Sequence, residues 1–183
     1  MMCARSSPIH GAAPRARVAW RLGAICAGIL ALAGCKRTTE ADLRDLLAGW
    51  VPLGETVSFN ATRGCAAGLF QMVGPRIASR VRIAGSAREA AIILRSHDQV
   101  AIVAPRLTPD DALLDLVEVE RNAGMKMRMA GLEGRACMDR ETEAAFAAAL
   151  VNPAAVILMD RGAGVLALMD TEDRLLIAAL GAE

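Results

Sequence analysis

The C-terminal part of the chain contains three short apolar runs that are separated by only a few polar or glycine residues. The runs are residues 155–159, 165–169 and 175–180. Each has the length of a β-strand and is too short for a typical helix. Connections this short can join neighbouring antiparallel strands, but they leave no room for a crossover between parallel ones. The pattern therefore predicts a three-stranded antiparallel meander.

Five segments before the meander have the apolar spacing of helices: residues 39–50, 63–73, 86–95, 108–122 and 139–151. Four of them begin at a residue that can cap a helix, and these residues are Thr39, Ser86, Thr108 and Asp139. The segment 63–73 would place Cys65 in its first turn. Gly124 is the expected stop of the helix that begins at Thr108.

Four further segments are predicted strands: residues 56–61, 80–84, 99–104 and 125–130. Arginines alternate with apolar residues in 80–84, which is typical of an edge strand, whereas 99–104 is apolar enough to be buried. A predicted helix lies between these two strands, so this part has the pattern of a β-α-β unit. Together the segments predict an α+β fold. We expect a single small domain with a mixed or antiparallel sheet, covered on one face, and about four to five helices.

An apolar run near the N-terminus ends at residues 32–35, Leu-Ala-Gly-Cys. Arginines precede it, and it is too short to cross a membrane as a helix of the mature protein. A basic start, an apolar core and small residues before the cleavage point are the parts of an export signal. With a cysteine directly after them, the segment resembles the signal peptide of bacterial lipoprotein precursors. The resemblance implies diacylglyceryl transfer to the thiol of Cys35, cleavage after Gly34 and, in many members, N-acylation.

This resemblance divides the chain and implies where the protein is held. Residues 1–34 would be the signal peptide, 35–38 a lipidated tether, and 39–183 the folded domain. Two or three acyl chains on Cys35 would anchor it stably to a membrane of the bacterial envelope, on the periplasmic side. Lys36 stands where lipoproteins retained at the inner membrane tend to have Asp, so we expect the outer membrane. One hypothesis is that translation begins at Val18, which would give a shorter signal. The competing interpretations of the N-terminal segment are an uncleaved signal anchor in which Cys35 is an ordinary thiol, and a buried helix.

Loss of the signal would change the charge balance of the protein. Four of the 21 basic residues and none of the 20 acidic ones lie in residues 1–34, so the formal net charge would change from +1 to −3. Residues 63–106 are locally basic and residues 107–183 are acidic. The mature chain would have no Tyr and a single Trp, Trp50. An acidic chain with so few stacking aromatics is not expected to bind nucleic acid.

Two cysteines, Cys65 and Cys137, would remain if Cys35 is lipidated and the signal is removed. An even pair in an exported protein favours a disulfide. Two buried free thiols, or a redox or metal pair, are the alternatives, although the chain has no CxxC spacing. We expect a Cys65–Cys137 bridge.

Two short motifs resemble catalytic or cofactor signatures but lack the context that those signatures require. Ser96, His97 and Asp98 are the residue types of a hydrolase triad, yet adjacent side chains diverge and cannot form the required hydrogen-bonded series. Residues 162–167 fit a GxGxxA pattern, but only sixteen residues follow, too few for a dinucleotide-binding βαβ unit of about 30 residues. A hairpin turn is the expected structure there.

Met125, Met127 and Met129 would lie on one face of the predicted strand 125–130. Three thioethers on one face could bind Cu(I). Methionines also fill irregular gaps in apolar cores, and they are frequent elsewhere in this chain. Core packing is the expected interpretation, and no metal site is assigned.

The sequence as a whole favours a lipid-anchored envelope protein that acts as a non-enzymatic accessory or interaction module. Its expected partners are the membrane, through Cys35, and an envelope protein. No residue is assigned a catalytic role, and no cofactor is expected. One alternative is a small periplasmic hydrolase or ligand-binding protein, with a site near His97 and the arginines of the basic segment, Arg76, Arg80, Arg82 and Arg88. A Met-based Cu(I) binder is the other alternative.

Overall fold

The structure is a computed structural model in which residues 37–181 are described. The expected signal peptide 1–34, the alternative start Val18 and the acylation site Cys35 lie outside the described residues. From Arg37 onward the chain forms one compact unit. The described part has five α-helices and a seven-stranded mixed sheet, which confirms the α+β prediction.

The helices and strands follow one another in the order of a mixed α+β domain. The helices are α1 (Glu40–Ala48), α2 (Ala87–Ile93), α3 (Pro109–Val119), α4 (Arg121–Gly134) and α5 (Arg140–Val151). A 3₁₀ turn, Arg135–Cys137, follows α4. The strands are β1 (Leu53–Ala61), β2 (Ala66–Met72), β3 (Ile83–Ala84), β4 (Gln99–Ile102), β5 (Val156–Asp160), β6 (Val165–Asp170) and β7 (Leu175–Leu180).

The sheet has the strand order β1-β2-β7-β6-β5-β4-β3. All neighbours are antiparallel except β3 and β4, which are parallel and connected through α2. Both the C-terminal meander and the β-α-β unit are therefore confirmed. The glycines of the GxGxxA pattern, Gly162 and Gly164, lie in the turn of the β5–β6 hairpin, where Gly164 has a φ of 65°, and the last three residues of the pattern begin β6. Glycine adopts this left-handed conformation without steric cost.

Apolar residues cover both faces of the sheet, whereas one covered face was expected. Side chains alternate along each meander strand, so Leu166 and Ile177 join the core beneath α2 to α5, while Ala167 and Ala178 join a second core. Leu43 and Leu47 of α1, with Trp50 and Val51 after it, pack in that second core. Central strands buried on both sides are apolar throughout, which explains the uninterrupted runs in the sequence.

The predicted helix at residues 63–73 is wrong, because this segment contains strand β2. Cys65 precedes the strand and does not lie in a helical turn. β2 lies between β1 and β7 and pairs with both, and almost all of its residues are buried. A strand buried on both faces has apolar residues at every spacing, so a helical stripe can be found in it by chance.

The predicted strand at residues 125–130 is also wrong, because these residues lie within helix α4. Gly124 does not end a helix either, since it lies in the first turns of α4. The preceding helix ends at Val119, and Glu120 has the non-helical angles φ −143° and ψ 80°. Ala123, Met127 and Ala130 bury one side of α4, and this helical spacing outweighs the alternation of Met with Lys and Arg.

The ends of most other elements agree with the sequence. Each of the four expected capping residues, Thr39, Ser86, Thr108 and Asp139, accepts a hydrogen bond from the backbone N–H three residues later. The predicted edge strand at residues 80–84 is shorter than expected, because only Ile83 and Ala84 pair with β4. Within residues 37–181, every helix falls short of the length and apolar character needed to cross a membrane.

Candidate functional site

Cys65 and Cys137 form a disulfide, as the cysteine count predicted. Their Cα atoms are 5.9 Å apart, and both residues are buried. The bond connects the start of β2 to the 3₁₀ turn that follows α4. It therefore joins the sheet to the helical layer, and neither sulfur is a free thiol.

His97 and two of the four highlighted arginines line the same cavity. The cavity has about 570 Å³ of empty space, part of it open to solvent, and lies where β3 and β4 begin and β5 ends. Its lining residues are Arg80, Arg82, His97, Asp98, Gln99 and Asp160. Arg76 and Arg88 are not among them. The fold thus brings together three of the residues that we had grouped only by charge and residue type.

Most of the charged groups in this cavity already have partners. Arg161 Nη2 lies 2.9 Å from Asp98 Oδ1 in an ion pair, and Gln99 Nε2 donates to Asp160 Oδ2 at 2.8 Å. Arg80 Nε donates to the carbonyl oxygen of Gly49 at 2.6 Å. Within the described part of the chain, the guanidinium of Arg82 and the ring of His97 make no hydrogen bond or ion pair. These two groups are therefore available to donate to a small polar or anionic ligand.

Ser96, His97 and Asp98 do not form a catalytic triad in this structure. All three side chains are exposed. The hydroxyl of Ser96 donates to the carbonyl oxygen of Ile93, and the carboxylate of Asp98 is held by Arg161. A triad needs nucleophile, base and carboxylate in one hydrogen-bonded series, but Ser96 and Asp98 each bond to another partner and neither bonds to the ring of His97.

The three methionines of the copper hypothesis do not share a face, because they lie on a helix. Met127 is fully buried beneath α4, while Met125 and Met129 are 41% and 43% exposed on its outer side. Two thioethers on one side of a helix and a third on the other cannot coordinate one ion. The geometric basis for a Cu(I) site at Met125, Met127 and Met129 is therefore missing.

The outer side of α4 carries an apolar stripe that the sequence analysis missed. Met125, Met129 and Leu132 have the i, i+4, i+7 spacing of a single helix face, and Leu132 is 58% exposed. The exposed side chains of Arg121 and Lys126 belong to the same helix. This spacing is visible in the sequence, but the stripe was missed because residues 125–130 had been assigned to a strand. We call Met125, Met129 and Leu132 the α4 stripe.

Among residues 37–181, the pKa of one carboxyl group clearly departs from its ordinary value. A hydrogen bond from Ser58 is the main cause that lowers the pKa of Asp139, and bonds from Thr142 add to it. Asp139 caps α5, so this shift reflects a structural role. No cluster of three or more His, Cys, Asp or Glu side chains suited to a metal ion occurs between residues 37 and 181.

Comparison with protein families, curated proteins and solved structures finds no match to this chain.

Proposed function

We propose that the protein is a lipid-anchored component of the bacterial envelope that binds a protein partner through the α4 stripe and catalyses no reaction. The observation that carries this proposal is the exposure of Met125, Met129 and Leu132 along one helix face. Single exposed apolar residues are ordinary on a protein surface, but an aligned set beside polar residues is typical of an interaction site.

The position of α1 supports an orientation in which the α4 stripe faces away from the membrane. α1 begins at Glu40 with Thr39 as its cap, so only residues 35–38 would separate the acylated Cys35 from the domain. Four extended residues span at most about 14 Å. α1 packs on the sheet face opposite to the one that α4 covers. The tether would thus hold α1 next to the bilayer and direct α4 into the periplasm, where an envelope protein can reach it.

The anchor is tested by the intact mass of the chain extracted from membranes of its native host. The expected product begins at Cys35, carries two or three acyl chains and, after alkylation, gains mass at Cys65 and Cys137 only if it was reduced first. Cys35→Ala is the control, and it should be neither acylated nor cleaved at this site. A wild-type chain that retains Gly34 or lacks acyl groups would contradict the anchor. Sedimentation with outer-membrane rather than inner-membrane markers would support the expected location.

The α4 stripe is tested by photocrosslinking from single positions in intact cells. A photoreactive residue in place of Leu132 should give one discrete adduct with an envelope protein. The matched control is Ile92 on α2, since Leu132 and Ile92 are both helical, apolar and 58% exposed. Equal adducts from both positions, or none from residues 125, 129 and 132, would contradict an interface at the stripe. Membrane attachment could still hold in that case, because the mass measurement tests it separately.

A second candidate function, a periplasmic ligand-binding protein or small hydrolase, is favoured by the cavity around His97. Arg82 and His97 can both donate to an anion there. His97 would be the single histidine of the mature chain, so its ring signals in an NMR spectrum would be unambiguous. Inorganic phosphate should shift these signals in the wild type and much less in Arg82→Met. Identical shifts in both proteins would show that Arg82 does not contribute to phosphate binding, and would contradict an anion site formed by Arg82 and His97.

A further inference from the structure

Residues 73–82 form a connection that crosses one face of the sheet. They lead from the end of β2, next to one edge, to β3 at the opposite edge. Ile77 and Val81 pack in the core that α1 covers, so this connection and α1 lie on the same face. Helices α2 to α5 pack on the other face. We call residues 73–82 the crossing segment.

Hydrogen bonds fasten the crossing segment to the residues that follow α1. The carbonyl oxygen of Pro52 accepts from the N–H of Val73 at 2.9 Å, and that of Trp50 accepts from the N–H of Ala78 at 2.7 Å. α1 has nine residues and is therefore about 14 Å long. The tether would join α1 at its other end, so an anchor at Cys35 would hold the crossing segment close to the bilayer surface.

The side chains of the crossing segment combine positive charge with exposed apolar surface. Three arginines and no acidic residue occur in it, and all three arginines are exposed. They are Arg76, Arg80 and Arg82. Val73 is 69% exposed and lines an open groove together with Pro75 and Arg76. The guanidinium of Arg76 makes no hydrogen bond or ion pair with another described residue. Basic groups beside exposed apolar ones are typical of surfaces that contact anionic lipid.

The two sides of the sheet differ in charge. On the α1 side, residues 37–52 and 73–82 contain five basic and three acidic side chains. On the other side, residues 87–93 and 109–151, which include α2 to α5, contain six basic and ten acidic side chains. An anionic surface attracts the first side and repels the second. Charge therefore favours the orientation in which the crossing segment faces the lipid.

We infer that the crossing segment is a second membrane contact, which binds anionic phospholipid headgroups beside the anchor. Arg76 donates to phosphate oxygens of the headgroups, and the side chain of Val73 enters the boundary between headgroups and acyl chains. The occupant is the bilayer that holds the protein, because α1, where the tether ends, lies on this face and the arginines complement the charge of the lipid. The inference rests on the membrane attachment in the proposed function and does not involve the α4 stripe.

Photocrosslinking in vesicles tests this contact. The chain is purified from membranes of its host, with a photoreactive residue in place of Val73, and reconstituted in phosphatidylcholine with or without phosphatidylglycerol. Position 73 should form lipid adducts when phosphatidylglycerol is present, and far fewer in phosphatidylcholine alone. The matched control is Ile92, which is 58% exposed on α2, a helix on the other side of the sheet. Position 92 should form no lipid adducts.

Two arginine variants separate recognition of charge from mere proximity to the bilayer. Arg76→Gln should lower the yield of lipid adducts from position 73 about fivefold, which is the effect of one arginine near an anionic surface. Arg88→Gln removes the same charge from α2 and should leave the yield unchanged. Both arginines are exposed, and thermal unfolding shows that each variant is folded.

Equal yields from positions 73 and 92, equal yields with and without phosphatidylglycerol, or equal effects of the two arginine variants would overturn the inference. An adduct with a second copy of the chain in place of lipid would also overturn it. The intact mass of the same preparation distinguishes this failure from failure of the anchor. An acylated chain without lipid adducts at position 73 would leave the anchor standing, whereas lipid adducts from an unacylated chain would contradict the anchor and support the contact.

Discussion

Ser58 of β1 donates a hydrogen bond to the carboxylate of Asp139, the residue that caps helix α5. The other oxygen of this carboxylate accepts the backbone N–H of Thr142 at 2.8 Å. One side chain therefore begins a helix and ties it to the edge strand of the sheet. The bond from Ser58 is the largest contribution that lowers the pKa of Asp139 below 3.8.

The stability of the domain should fall in acid because of Asp139. Since its pKa is lower in the folded than in the unfolded state, the stabilisation is present above the unfolded value of 3.8 and is lost as the pH falls through the folded value. Asp139→Asn keeps a good cap without the charge. Urea unfolding from about pH 6 to about pH 3 should show the wild type losing its advantage over this variant. A difference that stays constant over this range would contradict the assignment.

The Cys65–Cys137 bond should contribute about 4 kcal/mol to the free energy of unfolding, because it closes a long loop in the unfolded chain. The two cysteines are separated by 72 residues. Urea unfolding of the wild type should therefore shift to lower urea when a reductant is added. A variant in which both cysteines are alanine is the control, and the reductant should not affect it. If the reduced wild type unfolds at the same urea concentration as the oxidised protein, the loop-closure argument fails.

Gly124 should resist substitution although it lies within a helix. Alanine normally favours a helix by about 1 kcal/mol over glycine. A Cβ at Gly124 would lie 2.5 Å from the backbone nitrogen and 2.7 Å from the Cα of Val117, which cannot rotate away. Gly124→Ala should therefore destabilise the domain by about 1–3 kcal/mol. Gly131→Ala, on the same helix, is the comparison.

The Cβ at Gly131 would lie 3.1 Å from Cδ2 of Leu166 and 3.4 Å from Cζ of Phe146, and both of these atoms are at the ends of side chains, which can shift more easily than backbone. We expect a smaller loss of stability there, measured by thermal unfolding of both variants. Equal effects at the two positions would mean that α3 and α4 approach less closely than the structure has them.

Met127 and Met129 should differ strongly in their contribution to stability. Met127 is fully buried, so Met127→Ala should cost about 2–5 kcal/mol. Met129 is 43% exposed, and Met129→Ala should change stability by less than about 0.5 kcal/mol. Chemical unfolding of both variants measures the difference. Similar losses would be expected if the two residues lay on one face of a strand, and would contradict helix α4.

Helix starts could be predicted from the sequence because a cap is a local structure. Thr39, Ser86, Thr108 and Asp139 each bond to a backbone group three residues away, so neighbouring residues alone reveal them. The cap at Ser86 is one-sided, because the backbone N–H of Glu89 donates to the hydroxyl of Ser86 while the carboxylate of Glu89 accepts from the N–H of Gly85 and not from that of Ser86.

The two misassigned segments had patterns that fit more than one period. Apolar residues in 66–72 fit a helix as well as a doubly buried strand, and the methionines of 125–129 fit a strand as well as a helix face. Their structures depend on distant segments: β2 forms because β1 and β7 offer backbone partners on both sides, and α4 because α3 and the sheet cover its inner side. Because residues 125–129 form a helix, the three methionines do not lie on one face as the copper hypothesis required. The assignment of this segment to a strand also hid the α4 stripe.

The sequence alone determined the C-terminal meander, four of the helices, the disulfide and the α+β class. Short connections and helix caps depend on neighbouring residues, and the disulfide was predicted because two cysteines remain once the signal peptide and Cys35 are set aside. Only the tertiary structure decided that Arg82 and His97 line one cavity, that Arg128 of α4 and Phe146 of α5 line one cleft, and that Leu132 is exposed. Each of these sites joins residues from different elements. Which elements become neighbours depends on the strand order and on the burial of both sheet faces, which are properties of the whole fold and not of any local pattern.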